Sequence, residues 1–136
     1  GVMAQRLVRT LCPHCREAAT LDDDTWKPLI HPWQAERPRQ VYQARGCLEC
    51  RMTGYLGRVG IYEIMLMTPA LRKLITAATD LADVREQAYR DGMKPLRISG
   101  ALKIAQGVTT VDEVLTAAPP LQAERRKTET RPSNGQ

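Results

Sequence analysis

The sequence predicts an α+β fold that is mainly helical, in which a tetracysteine zinc-binding subdomain with a short β-hairpin precedes a small unit of four helices. Three observations support this prediction. Two Cys-x-x-Cys pairs lie in the first half, short apolar segments flank the second pair, and regularly spaced helix caps follow residue 67. The expected division is residues 1–67 for the zinc-binding subdomain, 68–117 for the helical subdomain and 118–136 for a disordered tail.

The first half contains the predicted strands and one predicted helix. The apolar residues of segment 2–11 fit either the end of a helix or an extended strand. Aspartates at 22–24 predict a helix start, because carboxylates favour the positive end of the helix dipole, and Pro32 predicts its end. Residues 41–44 and 59–65 predict two short strands on either side of the second cysteine pair, and we expect them to pair with each other in antiparallel fashion.

Capping residues divide the second half into four predicted helices. Their starts are marked by Thr68, Asp80, Pro95 and Thr110. Glu113 completes a predicted capping box, Gly92 and Gly107 predict left-handed helix ends, and Gly100 predicts close packing inside the third helix. Helical spacing predicts these buried side chains: Leu71, Leu74, Ile75 and Ala78; Leu81, Val84 and Ala88; Ile98, Ala101, Leu102 and Ala105; Val111, Val114 and Leu115.

Composition excludes several classes of function. The chain has 43% hydrophobic and 26% charged residues, and no stretch approaches the roughly 20 apolar residues of a membrane-spanning helix. There is no Gly-Lys dipeptide and hence no Walker A loop, and no Ser/His/Asp or paired-Glu arrangement stands out, so we expect no catalytic residue in this chain. The arginines lack interleaved aromatic residues, so no nucleic acid is expected as a partner. Because the sequence begins with Gly1, we expect a fragment of a longer protein.

The two cysteine pairs carry the strongest chemical signal. A two-residue spacing lets one tight turn present both sulfurs of Cys12 and Cys15, or of Cys47 and Cys50, to one side of an ion. Two such turns would surround Zn²⁺ with four thiolates at about 2.3 Å in a closed structural site, without an open position for hydrolysis. The glycines of segment 53–60 predict a tight connection with positive φ angles rather than a phosphate loop.

Other interpretations of the cysteines stay open. The tetrapeptide Cys12-Pro13-His14-Cys15 also matches the active site of thiol oxidases, where a helix start and a histidine lower the pKa of the first thiol. Here a second pair follows and no βαβ unit is visible, which disfavours that interpretation. Unpaired thiols and an iron–sulfur cluster are further alternatives. His14 and His31 could replace a ligand, but four cysteines already fill a tetrahedral shell, so structural zinc is favoured.

Several segments together resemble a known family. In chain order they are AQRLVRTLCPHC, the pair Cys47 and Cys50, TGYLGRVGIYEIM, the dipeptide Asp91-Gly92 and QGVTTVDEVL. This combination resembles the C-terminal end of the bacterial type II secretion and type IV pilus assembly ATPases, over about residues 1–117.

The resemblance implies a role at the end of a longer motor protein. Members of that family are cytoplasmic hexamers with a RecA-like core, which binds ATP and Mg²⁺ and acts beneath an inner-membrane platform protein. The core and neighbouring subunits would then be the partners of this chain, at the inner-membrane face, and Cys12, Cys15, Cys47 and Cys50 would be its metal ligands. The alternative is an independent zinc-binding adaptor for nucleic acid or protein.

Overall fold

A computed structural model describes residues 1–119, and residues 120–136, which hold most of the predicted tail, lie outside the described part of the chain. The elements are β1 (Val2–Leu11), β2 (Glu17–Ala19), α1 (Asp23–Ile30), β3 (Val41–Gln43), β4 (Tyr55–Met65), α2 (Pro69–Leu74), α3 (Leu81–Arg90), α4 (Leu96–Ala105) and α5 (Val111–Ala117). The predicted α+β class is therefore confirmed. None of the helices in this described part has the length and hydrophobicity needed to cross a membrane.

The strands form two separate antiparallel pairs. β1 pairs with β4, where Val8 lies opposite Val59, and β2 pairs with β3. The predicted pairing of residues 41–44 with residues 59–65 is therefore wrong, because each of these strands has a different partner.

The positions of the cysteine loops explain this pairing. β1 leads into the loop of Cys12, and β4 follows the loop of Cys50, whereas β2 leaves the first loop and β3 leads into the second. When the two loops come together, the strand that enters one loop lies beside the strand that leaves the other. Each strand therefore pairs with a strand of the other loop. β2 has only three residues, which are too few to show the alternation by which a strand is recognised in a sequence.

The β1–β4 ribbon has one covered and one exposed face, because side chains alternate along a strand. Val8 and Ile61 lie on the covered face and are almost completely buried. They pack with Ala118, which is also buried and which the sequence had assigned to the tail. Large apolar side chains remain exposed on the ribbon, namely Val2, Met3, Leu7, Leu56, Tyr62 and Ile64.

α1 begins and ends as predicted, whereas α2 is shorter than its apolar spacing suggests. Thr68 caps α2 by accepting the N–H of Leu71 at 3.1 Å, but the helix ends at Leu74 and Ile75 is extended. The Thr79 hydroxyl donates to the Leu74 carbonyl at 2.7 Å, so this terminal acceptor is satisfied without a further helical turn. Of the predicted buried residues only Leu71 is buried, and the prediction is wrong for Leu74, Ile75 and Ala78, which are exposed.

The starts of the three later helices agree with the predicted caps. The side chain of Asp80 accepts the N–H of Ala82, and that of Thr110 accepts the N–H of Glu113. Pro95 precedes α4 as its N-cap residue. The glycines that follow α3 and α4 have positive φ angles, which are 102° at Gly92 and 74° at Gly107.

Burial along these helices differs from the helical spacing at a few positions. The predicted burial is wrong for Leu81, Leu102, Ala105 and Leu115, which are exposed. Ile104 is fully buried instead, among the side chains of α1, whose position beside α4 no local pattern reveals. A Cβ atom on Gly100 would lie 2.4 Å from Cγ1 of Val114, which confirms the predicted close packing at this glycine.

The largest core joins α1 to α4 and α5. Its buried side chains are Leu21, Trp26, Leu29, Ile30, Val41, Ile98, Ala101, Ile104 and Val114. They come from both sides of residue 67, and the division of the chain at that residue stays a prediction. A smaller cluster of Leu71, Ala88 and Met93 holds α2 to α3, with Met65 and Met67 packed against it.

Candidate metal centre

Two loops bring the four cysteines of the chain together. Cys12 and Cys15 lie between β1 and β2, and Cys47 and Cys50 lie between β3 and β4. The backbone N–H of Cys12 donates to the carbonyl of Gly54 at 2.9 Å, which fixes one loop against the other. All four Sγ atoms lie within 4.8 Å of one another, so the loops form a single sulfur group that could hold a metal ion.

The separations of the sulfur atoms match a tetrahedral shell. The Sγ–Sγ distances are 3.9 Å for Cys12 and Cys47, 3.8 Å for Cys15 and Cys50, and 3.7 Å for Cys47 and Cys50. Four ligands that each lie 2.3 Å from a central ion are separated by about 3.8 Å. A disulfide would need about 2.05 Å, and all four thiols are free. The geometry therefore fits a four-sulfur metal site.

The second loop owes its shape to two glycines. Gly46 and Gly54 have φ angles of 109° and 80°, which favour residues without a side chain. A Cβ atom would lie 2.8 Å from the carbonyl oxygen of Met52 at Gly46 and 2.6 Å from Cβ of Ala44 at Gly54. Larger residues at either position would displace the loop and the two sulfurs that it carries.

Backbone N–H groups surround two of the sulfurs. The Cys50 sulfur accepts the N–H groups of Cys47 and Gly54, both at 3.2 Å, and the Cys15 sulfur accepts that of Gly46 at 3.4 Å. Burial opposes ionisation of the Cys50 thiol, but these donors outweigh it and lower its pKa to about 6. At Cys15 burial prevails over the single donor and raises the pKa to about 11. The backbone donors thus favour the thiolate form of Cys50, which is the form in which a cysteine binds a cation.

The structure sets both histidines apart from the sulfur group. His14 is exposed within the first loop, His31 is exposed at the end of α1, and neither belongs to the group of possible ligands found in residues 1–119. Cys12 and Cys50 are buried, while Cys15 and Cys47 are partly exposed. A metal ion at this place would have a sulfur shell near the protein surface.

Two contacts attach the first loop to the end of α4. The N–H of Leu11 donates to the carbonyl of Val108 at 2.8 Å. Nη1 of Arg16 donates to the carbonyl of Gly107 at 2.8 Å, while its guanidinium lies 4.1 Å from the ring centre of Tyr42. The orientation of this loop is therefore linked to the C-terminus of α4.

Arg9 attaches β1 to α5. Its backbone N–H donates to Oε2 of Glu113 at 2.8 Å, and its Nε and Nη2 donate to Oε1 at 2.9 and 2.7 Å. The Arg9 guanidinium also stacks on the ring of Tyr55 at 4.2 Å. Burial alone would raise the pKa of Glu113, but the hydrogen bonds from Arg9 outweigh it and hold that pKa below its ordinary value. The capping box is thus half formed, because Thr110 caps α5 while Glu113 binds Arg9 instead.

The sequence alone missed these supporting residues. Arg9, Arg16 and Glu113 act through partners about 90 or more residues away in the chain, and no local pattern reveals such pairs. The role of Gly54 could have been predicted from the sequence, because a glycine shortly after a Cys-x-x-Cys pair is where a backbone N–H donor to sulfur is expected.

Comparisons with known proteins place this centre in a family. The sequence profile described as "Type II/IV secretion system protein" matches residues 1–116. The type IV pilus assembly ATPase TfpB of Acinetobacter baylyi is 44% identical over 119 residues, which are 88% of this chain and 20% of that protein. The type II secretion system protein E of Pseudomonas aeruginosa is 40% identical over 116 residues, which are 85% of this chain and 22% of that protein.

A third relative agrees with these two. The type II secretion system ATPase E of Vibrio cholerae is 38% identical over 115 residues, which are 85% of this chain and 22% of that protein. The chain thus spans about a fifth of the length of these relatives. The predicted resemblance is confirmed, and the chain belongs to the type II/IV secretion system protein family.

Proposed function

We propose that this chain is the zinc-binding C-terminal part of a hexameric ATPase that powers type II protein secretion or type IV pilus assembly. Its own contribution is structural, and ATP and Mg²⁺ are bound by a RecA-like core that precedes it in the longer protein. The observation that carries the proposal is the four-sulfur group at tetrahedral separation, inside a family match that covers residues 1–116.

The donor set supports Zn²⁺ as the resident ion. Four cysteine thiolates in two Cys-x-x-Cys pairs form the usual closed shell of structural zinc, and this shell has no position left for a substrate. The three sulfur–sulfur separations, 3.7 to 3.9 Å, are those expected around an ion with the zinc–sulfur bond length. Zn²⁺ supplies no redox chemistry here and acts by fixing the two loops.

The supporting contacts explain how fixed loops would serve a motor. Arg16 and Leu11 connect the first loop to residues 107 and 108, and Arg9 connects β1 to α5. A metal that holds the loops therefore also holds the ends of α4 and α5 in one arrangement. In the assembled ATPase this rigid part would contact the core, neighbouring subunits and the inner-membrane platform protein, at the cytoplasmic face of that membrane. No nucleic acid is expected as a partner, and the subdomains would be residues 1–67 and 68–117, followed by a tail.

The proposal is tested on the full-length protein. The purified wild type should contain about one zinc per chain by elemental analysis, hydrolyse ATP, and support secretion or piliation in cells that lack the native gene. Cys47→Ser should lose the zinc and the cellular function. His14→Ala, an exposed residue of the other cysteine loop, should keep both. Zinc in the wild type but not in Cys47→Ser, without any ATP hydrolysis by either, would support the metal site and overturn the assignment to an ATPase.

A further inference from the structure

A groove lies between the open end of the β1–β4 ribbon and helix α3. Farther along the ribbon the covered face is buried by α5 and its neighbours, but near Val2 and Ala4 it is open. The opening consists of two cavities of about 240 and 200 Å³. Glu63 and Arg85 line both of them, so the two cavities adjoin at these residues, and together they are called the groove here.

The two ends of the groove differ in chemistry. The larger cavity is basic, because Arg6, Arg85 and Arg97 line it. The smaller cavity is mostly apolar, and its apolar lining residues are Val2, Ala4, Met65, Leu81, Val84 and Met93. Methionine side chains adapt their shape to different apolar partners, and Arg and Met are both enriched at protein interfaces.

Two of the three arginines at the basic end, Arg6 and Arg85, are exposed and form no ion pair among the described residues. The carboxylate of Glu63 accepts the N–H of Leu96 at 3.1 Å and thereby serves the start of α4. Arg97 is buried and donates to the carbonyl of His31, so the charge that faces a ligand is that of Arg6 and Arg85. The basic end therefore carries an excess of positive charge.

We propose that this groove binds a segment of a partner protein in which acidic side chains adjoin large apolar ones. Carboxylates of that segment pair with Arg6 and Arg85, and its apolar side chains fill the cavity between Met65 and Met93. Charge disfavours the chain's own residues 120–136 as the occupant, because they contain four Lys or Arg residues against two Glu. The site is separate from the metal centre and does not rest on zinc binding.

The position of the groove gives such binding a mechanical consequence. One wall is α3, and the floor is the ribbon, whose end at Met65 packs against the small cluster around Leu71 and Ala88. A segment seated there contacts both parts at once. Binding therefore strengthens the contact that Met65 already makes between the ribbon and the α2–α3 pair.

The test follows methionine methyl groups of the complete 136-residue chain by NMR. The probe is the peptide Asp-Asp-Leu-Leu-Asp-Asp-Leu-Leu, and the matched control peptide has Lys in place of each Asp. The acidic peptide should shift the resonances of Met65 and Met93, which line the groove. It should leave Met52 unchanged, because that exposed residue lies on the second cysteine loop. The lysine peptide should bind at least about tenfold more weakly.

A charge reversal inside the groove and one outside it complete the test. Arg85→Glu should weaken binding of the acidic peptide about tenfold or more, whereas Arg72→Glu on α2, also exposed and helical, should leave it unchanged. Equal binding of both peptides, or no effect of Arg85→Glu, overturns the proposal. So do Met65 and Met93 shifts that depend only on protein concentration, which assign the groove to a second copy. Shifts seen with phosphatidylglycerol vesicles but not with peptide assign it to lipid.

Discussion

The two helical parts of this chain are held by different means. α4 and α5 pack on α1 and the ribbon, and the contacts of Arg9 and Arg16 tie them to the strand and loop of the metal centre. α2 and α3 pack mainly on each other around Leu71 and Ala88. Large apolar side chains remain exposed in both parts, namely Leu102 and Leu115 in the first and Leu74, Ile75 and Leu81 in the second.

The difference shows that capping signals and packing are separate matters. Thr68 and Thr110 cap their helices through the same kind of hydrogen bond, yet α5 joins a large core and α2 a small one. Long-range neighbours decide burial, and the metal centre lies beside the first part only. Substitutions in the metal centre or the large core should therefore lower the free energy of unfolding more than equivalent substitutions in the α2–α3 pair.

The largest effect is expected from loss of the metal. Cys12→Ser should abolish zinc binding and lower the melting temperature by more than about 10 °C, because zinc contributes on the order of 10 kcal/mol in small zinc-dependent peptides. Hydrogen exchange should rise most in the cysteine loops and around residues 107 and 108, and least in α2 and α3. His14→Ala is the control and should melt like the wild type. An equal increase of hydrogen exchange in all helices would show that α2 and α3 depend on the metal centre as much as α4 and α5 do.

The second largest effect is a difference in stability between two leucine-to-alanine substitutions, one in each core. Leu29 and Leu71 are both fully buried, the first in the large core and the second in the small one. Leu29→Ala should cost about 4 kcal/mol of unfolding free energy and Leu71→Ala about 2 kcal/mol, because the large core has more neighbours to lose. Urea unfolding followed by circular dichroism, which reports on the helices of both parts, measures both. A larger cost for Leu71→Ala would reverse the proposed ranking of the cores.

The contact between α4 and α5 predicts a smaller effect. Gly100→Ala should cost about 2 kcal/mol, because the new methyl group would overlap Cγ1 of Val114, which lies 2.4 Å from the position of the added Cβ. Combining it with Val114→Ala removes the overlapping atoms, so the double variant should lose less stability than the sum of the two single variants. Additive losses in urea unfolding would argue against the close packing.

The smallest expected effect is a difference in coupling energy between two Arg–Glu ion pairs, one in each part. A double-mutant cycle should give about 1 kcal/mol of coupling for Arg9 and Glu113, and about 0.4 kcal/mol for Glu86 and Arg90, an exposed pair on α3. The folded pKa of Glu113 lies below its ordinary value, so its coupling is complete above that value of 4.5 and declines as pH falls through the lower folded pKa. Coupling measured at pH 7 and at pH 3 checks this. Equal coupling at both pH values would contradict the role of the carboxylate.

The sequence predicted the features that depend on neighbours in the chain. The caps of α1, α2, α3 and α5, the positive φ of Gly92 and the clustering of the cysteines all follow from short patterns. Strand pairing did not follow, because it depends on how the two cysteine loops meet. The burial of Ile104 and the partners of Arg9 depend on elements far away in the chain, and a single sequence contains no local signal for them.

X-ray absorption at the zinc edge on the purified 136-residue chain tests the central claim most directly. If Cys12, Cys15, Cys47 and Cys50 hold one zinc ion, the spectrum will show four sulfur ligands at about 2.3 Å and no nitrogen or oxygen ligand. A folded chain without metal, or a shell with histidine nitrogen or water oxygen, would contradict the tetracysteine centre.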